Sequence, residues 1–149
     1  MTSLGLVLFA SSSSAQYSVG QTISQVTRDK VVSYCANGDE DITLGNLLVP
    51  GVGEPTRVVF LNFFESWWGS CRAEVPHLED FHQARAESGL LIVGLGNNFN
   101  SLSCQSWANL GASFPIADDR GSGIWSDFGT GAIPRNAIID SDGVVRYNA

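Results

Sequence analysis

The sequence predicts an α/β protein, a mixed central sheet with helices on both faces, and three observations carry that reading. Two apolar runs without alternation, VVFLNFF at residues 58–64 and LLIVG at 90–94, have the composition of strands buried on both faces. A stretch with helical spacing lies between them. After further helix and strand signals, the chain closes on a hairpin, in which the turn signal Ser141-Asp142-Gly143 joins two short β-forming runs. Strands alternating with helices and then an antiparallel hairpin demand a sheet of mixed direction, covered on each side.

Each element has its own signal. Residues 4–10, LGLVLFA, followed by a serine run and Ala15, have the form of a signal-peptide apolar region with small residues at a cleavage site, so 1–15 is expected to be a signal peptide. No Lys or Arg precedes that run, and it is too short to span a bilayer. Residues 16–57 are rich in turn formers, with apolar sequence only around 30–32 and 42–44. They predict short strands or a hairpin at the edge of the main fold. We therefore expect an N-terminal extension over 16–40 and the α/β domain over 41–149. Residues 58–64 form the first buried strand. Residues 72–87 predict a helix with Val75, Leu78, Phe81 and Ala84 along one side; Pro76 should kink it unless it falls in the first turn, and Ser88-Gly89 ends it. Residues 90–94 are the second buried strand, 101–110 a short helix, 114–117 an extended segment and 123–128 a helical turn. Residues 136–139 and 144–147 are the closing strands.

Composition narrows the function. The chain has 149 residues, 44% of them apolar, which suits one domain with a substantial core. Its formal charge is −7, its pI is near 4.5, and Lys30 is its only lysine. Nucleic acid and anionic membrane both require clustered Lys and Arg, so neither is an expected partner. The acidic stretches at 38–41 and 118–119 read as solvated loops, because no Ca²⁺-loop spacing accompanies them. His77 and His82, five apart on a helix, do not share a face, and no metal is expected. Trp107 and Trp125 read as core.

The stretch with the clearest chemistry is SWWGSC, residues 66–71, between the first buried strand and the helix. A cysteine in a turn that opens a helix is placed for thiol chemistry, because the orphan N–H groups of the helix N-terminus stabilise a thiolate. A second local signal, Gly131-Ala132-Ile133-Pro134, leads into a later strand.

Together these segments resemble the thioredoxin fold, and within it the exported TlpA/ResA-like thiol-disulfide oxidoreductases. FLNFFESWWGSCRAEVPHLEDF is similar to that family's strand, Trp-Cys-x-x-Cys and Arg-Ala-Glu-x-Pro pattern, and AIPRNAIIDSDGVVRY to its cis-proline strand and hairpin. The resemblance covers roughly residues 41–147. It implies a thioredoxin-like three-layer α/β/α fold with an N-terminal hairpin extension. The family usually continues past the hairpin into a C-terminal helix that covers one sheet face, and the sequence as given stops at Ala149; either the fragment is truncated or that face is covered by something else. Apolar sheet left bare would promote association, so a monomer or weak dimer is expected.

The resemblance also assigns the site. Trp68 stands where the family carries the attacking cysteine and Cys71 where it carries the resolving one. Trp67, Gly69, Ser70, Ile133, Pro134 and Arg135 would contact substrate, with Pro134 in cis and pairing beside an extended chain. Arg135 would place a cation near the thiol. Asn62 replaces the buried acid of cytosolic thioredoxins, and Glu65 and Glu74 read as ordinary surface residues. An indole forms no mixed disulfide, and Cys71, one turn further in, is expected to be buried with a raised pKa. Cys35 and Cys104 are buried small hydrophobes, a structural clip with each other, or a displaced redox partner for Cys71.

Two functions follow. One is a thiol-disulfide oxidoreductase using no cofactor, working on protein thiols or disulfides through position 68; tryptophan is one base from cysteine, and UGA, which encodes selenocysteine in some messages, can be translated as tryptophan. The other is a redox-inactive domain that binds an extended peptide beside Pro134. A peroxiredoxin-like peroxidase ranks below both, because Phe64 and Trp68 occupy the Pro and Thr/Ser positions of that motif relative to Cys71. Export to a periplasmic, extracellular or lumenal space follows from the signal peptide and family.

Overall fold

A computed structural model describes residues 16–129 and 131–149. The signal peptide expected over 1–15 lies outside the described residues. The chain runs through a short helix α1 (Gln25–Arg28), β1 (Val31–Ala36), β2 (Ile42–Thr43), α2 (Leu44–Leu47), β3 (Val58–Glu65) and the long helix α3 (Gly69–Arg85). It continues through β4 (Leu90–Asn98), α4 (Cys104–Ala108), β5 (Ile116–Asp118), α5 (Trp125–Phe128), β6 (Arg135–Ile139) and β7 (Val145–Asn148).

All seven strands join in one sheet, in the order β2-β1-β5-β4-β3-β6-β7. Strands β3, β4 and β5 are parallel, as strands linked through helices must be, and β6, β7, β1 and β2 pair antiparallel at the two sides. Strand β3, flanked by β4 and β6, is apolar but for Asn62 and Glu65. The edge hairpin expected in the N-terminal region is β1–β2, and β1 pairs with β5, so the extension and the rest of the domain share a sheet.

Two clusters occupy the two faces of the sheet. On one, Cys71, Val75 and Leu78 of α3 and Trp107 and Ala108 of α4 pack on Phe64, Ile92 and Ile116. Trp107 stacks on Phe64 with ring centroids 4.0 Å apart. On the other, Leu44 and Leu47 of α2 and Trp125 and Phe128 of α5 pack on Leu61, Phe63, Val93 and Leu95. Trp107 and Trp125 are both buried, as core residues are.

The helix after the site departs from its sequence reading in two respects. Helix α3 starts at Gly69 rather than 72, so Pro76 falls beyond its first turn, and the helix runs on through it. Its buried side is Cys71, Val75 and Leu78, while Phe81 is 58% exposed and Ala84 is exposed as well. A repeat of three drifts about 60° per step on a helix of 3.6 residues per turn, so the fourth member of such a series reaches the opposite face. After a 3₁₀ turn, Gly89 takes φ +103°, and a Cβ there would stand 2.2 Å from the Thr56 carbonyl oxygen.

Candidate active site

The site forms where β3 hands over to α3. The strand ends at Glu65, and Ser66, Trp67 and Trp68 turn the chain into the helix. The turn is pinned from within. Ser66 is fully buried; its N–H donates to the Asn98 carbonyl at 2.8 Å, and its Oγ accepts the N–H groups of Ser101 and Leu102, each at 3.2 Å. Arg72 Nε donates to the Ser66 carbonyl at 2.8 Å.

Trp68 is the N-cap residue of α3 and offers no side-chain acceptor to the helix N–H groups. Helices α1, α2 and α4 are each capped by a hydroxyl, from Ser24, Thr43 and Ser103. The longest helix therefore opens on donors that its own cap does not satisfy, which is a favourable place for negative charge. Trp68 is 40% exposed and Trp67 49% exposed; their rings lie 5.2 Å apart, tilted by 66°. Trp67 Nε1 donates to Glu65 Oε2 at 2.5 Å. Gly69 and Ser70 are exposed in the first turn.

Cys71 is 2% exposed and is the one free cysteine among the described residues. Burial pushes its thiol up to about 11, against a contact with the Glu65 backbone, and the charges of Glu74 and Glu65 push it further the same way. At neutral pH it is a protonated, quiet thiol. Cys35 and Cys104 are joined as a disulfide that ties β1 to α4, so neither is a free thiol partner for Cys71.

The Ile133–Pro134 peptide bond is cis, just before β6, the strand that pairs with β3. Ile133 packs against both apolar clusters, while Gly131 and Ala132 are exposed. Arg135 departs from its sequence reading in one respect, the cation near the thiol. Its Nε donates to the Phe128 carbonyl at 2.8 Å and to Asn148 Oδ1 at 3.0 Å, which makes it a tether between α5 and β7. The charges felt by the thiol are carboxylates instead.

Sequence reasoning missed a polar cluster beneath the helix. Asn62, 2% exposed, donates through Nδ2 to Glu74 Oε2 at 3.0 Å and to Asn136 Oδ1 at 2.8 Å, and Asn136 Nδ2 donates to Glu74 Oε1 at 2.6 Å. Glu74 is thus a half-buried carboxylate held by two amides, three residues after Cys71, and not an ordinary surface residue. The available signal was Asn62 itself, a polar residue in the middle of an apolar strand that burial obliges to find partners.

A cavity of about 600 Å³ opens beside the turn, lined by Glu65, Trp67, Trp68, Asp119, Trp125 and residues 131–133 among others. Asp119, 1% exposed, accepts the N–H groups of Ile124 and Trp125, each at 2.8 Å. Burial pushes its carboxyl above the usual range, while those two N–H groups and the charge of Lys30 draw it back. Among the described residues no cluster of His, Cys, Asp and Glu is gathered to hold a metal, and no helix is long and apolar enough to cross a membrane.

Comparison with known proteins agrees with this geometry. Residues 52–149 match the Redoxin family. The thiol-disulfide oxidoreductases ResA of Bacillus thuringiensis (strain Al Hakam) and Bacillus anthracis are each 33% identical over 88 residues, which is 58% of this chain and 51% of theirs. The chain thus spans about half the length of these curated relatives. Among solved structures, a candidate DsbE thiol:disulfide interchange protein from Chlorobium tepidum has a TM-score of 0.70 at 19% identity, over 88% of this chain and 84% of that one. A secreted Mycobacterium tuberculosis disulfide oxidoreductase homologous to Escherichia coli DsbE has 0.64 at 17%, over 82% and 84%, and StoA of Bacillus subtilis 0.59 at 18%, over 83% and 89%. At such identities the structures establish the thioredoxin-like fold.

Proposed function

The chain belongs to the Redoxin family, and from that membership we propose that it is a thioredoxin-type thiol-disulfide oxidoreductase acting on protein thiols or disulfides at the turn of residues 67–71. The observation that carries this reading is a single arrangement: a buried strand, a helix N-terminus with Cys71 in its first turn, and a cis-proline immediately before the neighbouring strand.

Exchange at such a turn takes two steps. A thiolate or selenolate at position 68 attacks one sulfur of a substrate disulfide, forming a mixed disulfide and expelling the other sulfur as a thiolate. Cys71 then loses its proton and attacks the atom at position 68, which releases the second substrate sulfur and leaves positions 68 and 71 bonded. Two electrons have passed to the substrate, and an external dithiol restores the pair. The indole of Trp68 cannot take the first step, so this reading requires cysteine or selenocysteine at 68 in the cell's product.

A second reading keeps tryptophan and makes the chain a redox-inactive domain that binds an extended peptide along the edge beside Pro134, with Trp67, Gly69, Ser70, Ile133 and Arg135 around it. Two observations favour it: the indole at the helix N-cap, and a buried Cys71 whose pKa of about 11 keeps it protonated. Under both readings we place the protein in an exported compartment, periplasmic, extracellular or lumenal. The Cys35–Cys104 disulfide supports this, since such bonds persist where the surroundings are oxidising.

Two measurements separate the readings. The intact mass of protein made from the native gene in its own host identifies residue 68, and a UGG codon there excludes selenocysteine. In an insulin-reduction assay with dithiothreitol, we expect the Trp68 protein to stay at background and Trp68→Cys to turn over. A folded Trp68→Cys variant without turnover sinks the oxidoreductase reading. Turnover by the Trp68 protein sinks the binding-only reading.

A further inference from the structure

Two adjacent tryptophans, 49% and 40% exposed, line a cavity of about 600 Å³. Exposed large aromatic side chains in contact with each other are informative, because folding alone gives no reason to leave them in water. The rings of Trp67 and Trp68, 5.2 Å apart and tilted by 66°, make a corner rather than a stack. Trp125, 9% exposed, also lines the cavity.

We propose that this cavity binds an organic ammonium group, held by cation–π contact with Trp67, Trp68 and Trp125 and by the carboxylate of Glu65. The site goes beyond thiol exchange and rests on tryptophan at position 68. An indole is the aromatic ring that attracts a cation most strongly, and several rings around one pocket are the recurrent solution for ammonium groups that carry alkyl substituents.

Charge selects the occupant. Two carboxylates, Glu65 and Asp119, line the cavity, and no Lys, Arg or His does so among the described residues. Their parts differ. Asp119 spends both oxygens on the N–H groups of Ile124 and Trp125 and feels Lys30, so it shapes the wall. Lys30 itself is committed elsewhere, with Nζ 2.7 Å from Asp127 Oδ2 and 2.9 Å from the Gly123 carbonyl. Glu65 sits at the corner, where its Oε2 holds Trp67 Nε1 and fixes that ring. The volume lies within the roughly 300–1,000 Å³ of small-molecule sites, enough for a quaternary ammonium and its attached chain.

The test is calorimetric titration of the recombinant Trp68 protein with choline and with 3,3-dimethylbutan-1-ol, its neutral isostere. A lysine derivative, Nα-acetyl-lysine methylamide, is titrated beside them. We expect saturable choline binding, the alcohol weaker by about tenfold or more, and choline binding weakened by about tenfold in Trp68→Ala and less in Glu65→Gln. Circular dichroism identical to that of the parent protein shows that these variants are folded. Tighter binding of the lysine derivative than of choline assigns the group to a peptide, and the reverse order to a free amine; either supports the site. Absence of saturable binding by both choline and the lysine derivative, equal binding of the alcohol, or binding unchanged in both variants would overturn it. None of these outcomes depends on insulin reduction, so a failed titration leaves the redox reading untouched, whereas cysteine or selenocysteine at 68 in the native product would remove this site.

Discussion

Cys71 shows how position decides the chemistry of a residue. Two residues closer to the helix start it would meet the orphan N–H groups and water; where it stands it packs with Val75, Leu78 and Ile92. With its pKa at about 11, the thiolate fraction near pH 8 is smaller than in an unfolded chain by about two orders of magnitude. We expect iodoacetamide to label Cys71 at least about a hundredfold faster in denaturant than in the native protein, read by mass spectrometry. Equal rates would show the thiol to be open. The linkage has a definite sign. Because the folded pKa is raised, the folded state holds its proton more tightly, and the stabilisation is fully present below the unfolded pKa of about 8.5. It is lost as pH rises towards 11, at about 1.4 kcal/mol per unit. Urea melts near pH 8 and pH 10 should show this loss, and Cys71→Ser, with no such thiol, should lack that part of it.

At the scale of elements, the short pieces depend on long-range ties. Helix α4 has five residues, too few to persist on its own, and it is fixed by the Ser103 cap, by Trp107 stacked on Phe64 and by the Cys35–Cys104 bond to β1. That bond joins residues 69 apart in sequence. A loop of this length loses enough freedom in the unfolded chain to stabilise the fold by about 4 kcal/mol. Denaturation with and without reductant should therefore differ by about 2–4 kcal/mol, and a difference near zero would place the bond's effect elsewhere than in chain entropy. The turn at the site is tied in the same manner, through Ser66 to the segment after β4, so its geometry belongs to two strands and a loop together.

For the whole molecule, net charge governs behaviour in solution. Eight basic residues against fifteen acidic ones give −7 at neutral pH and a pI near 4.5. Repulsion between copies vanishes there, and the exposed Phe81 and Tyr147, which border a groove with Phe60 and Ile138, are then free to associate. We expect solubility to pass through a minimum near pH 4.5 and to recover by neutrality; light scattering across that range measures it, and a flat profile would show that charge does not keep the copies apart.

Local pattern determined much of this protein. The apolar runs of β3 and β4 had no solvated alternative, the motif beginning at Ser66 could open only a strand–helix turn, and Ser141-Asp142-Gly143 marked a hairpin wherever it lay. These signals act over a few residues, so the chain itself carries them. Contacts between distant residues were decided only in three dimensions. The Asn62–Glu74–Asn136 cluster joins two strands and a helix, the Cys35–Cys104 bond joins an edge strand to a later helix, and Arg135 turned to Phe128 and Asn148 rather than towards the thiol. The face of α3 shows the same division. Its helical nature was legible, but the side it buries follows the 3.6-residue turn packed on the sheet, and only that packing distinguishes Val75 and Leu78 from Phe81 and Ala84.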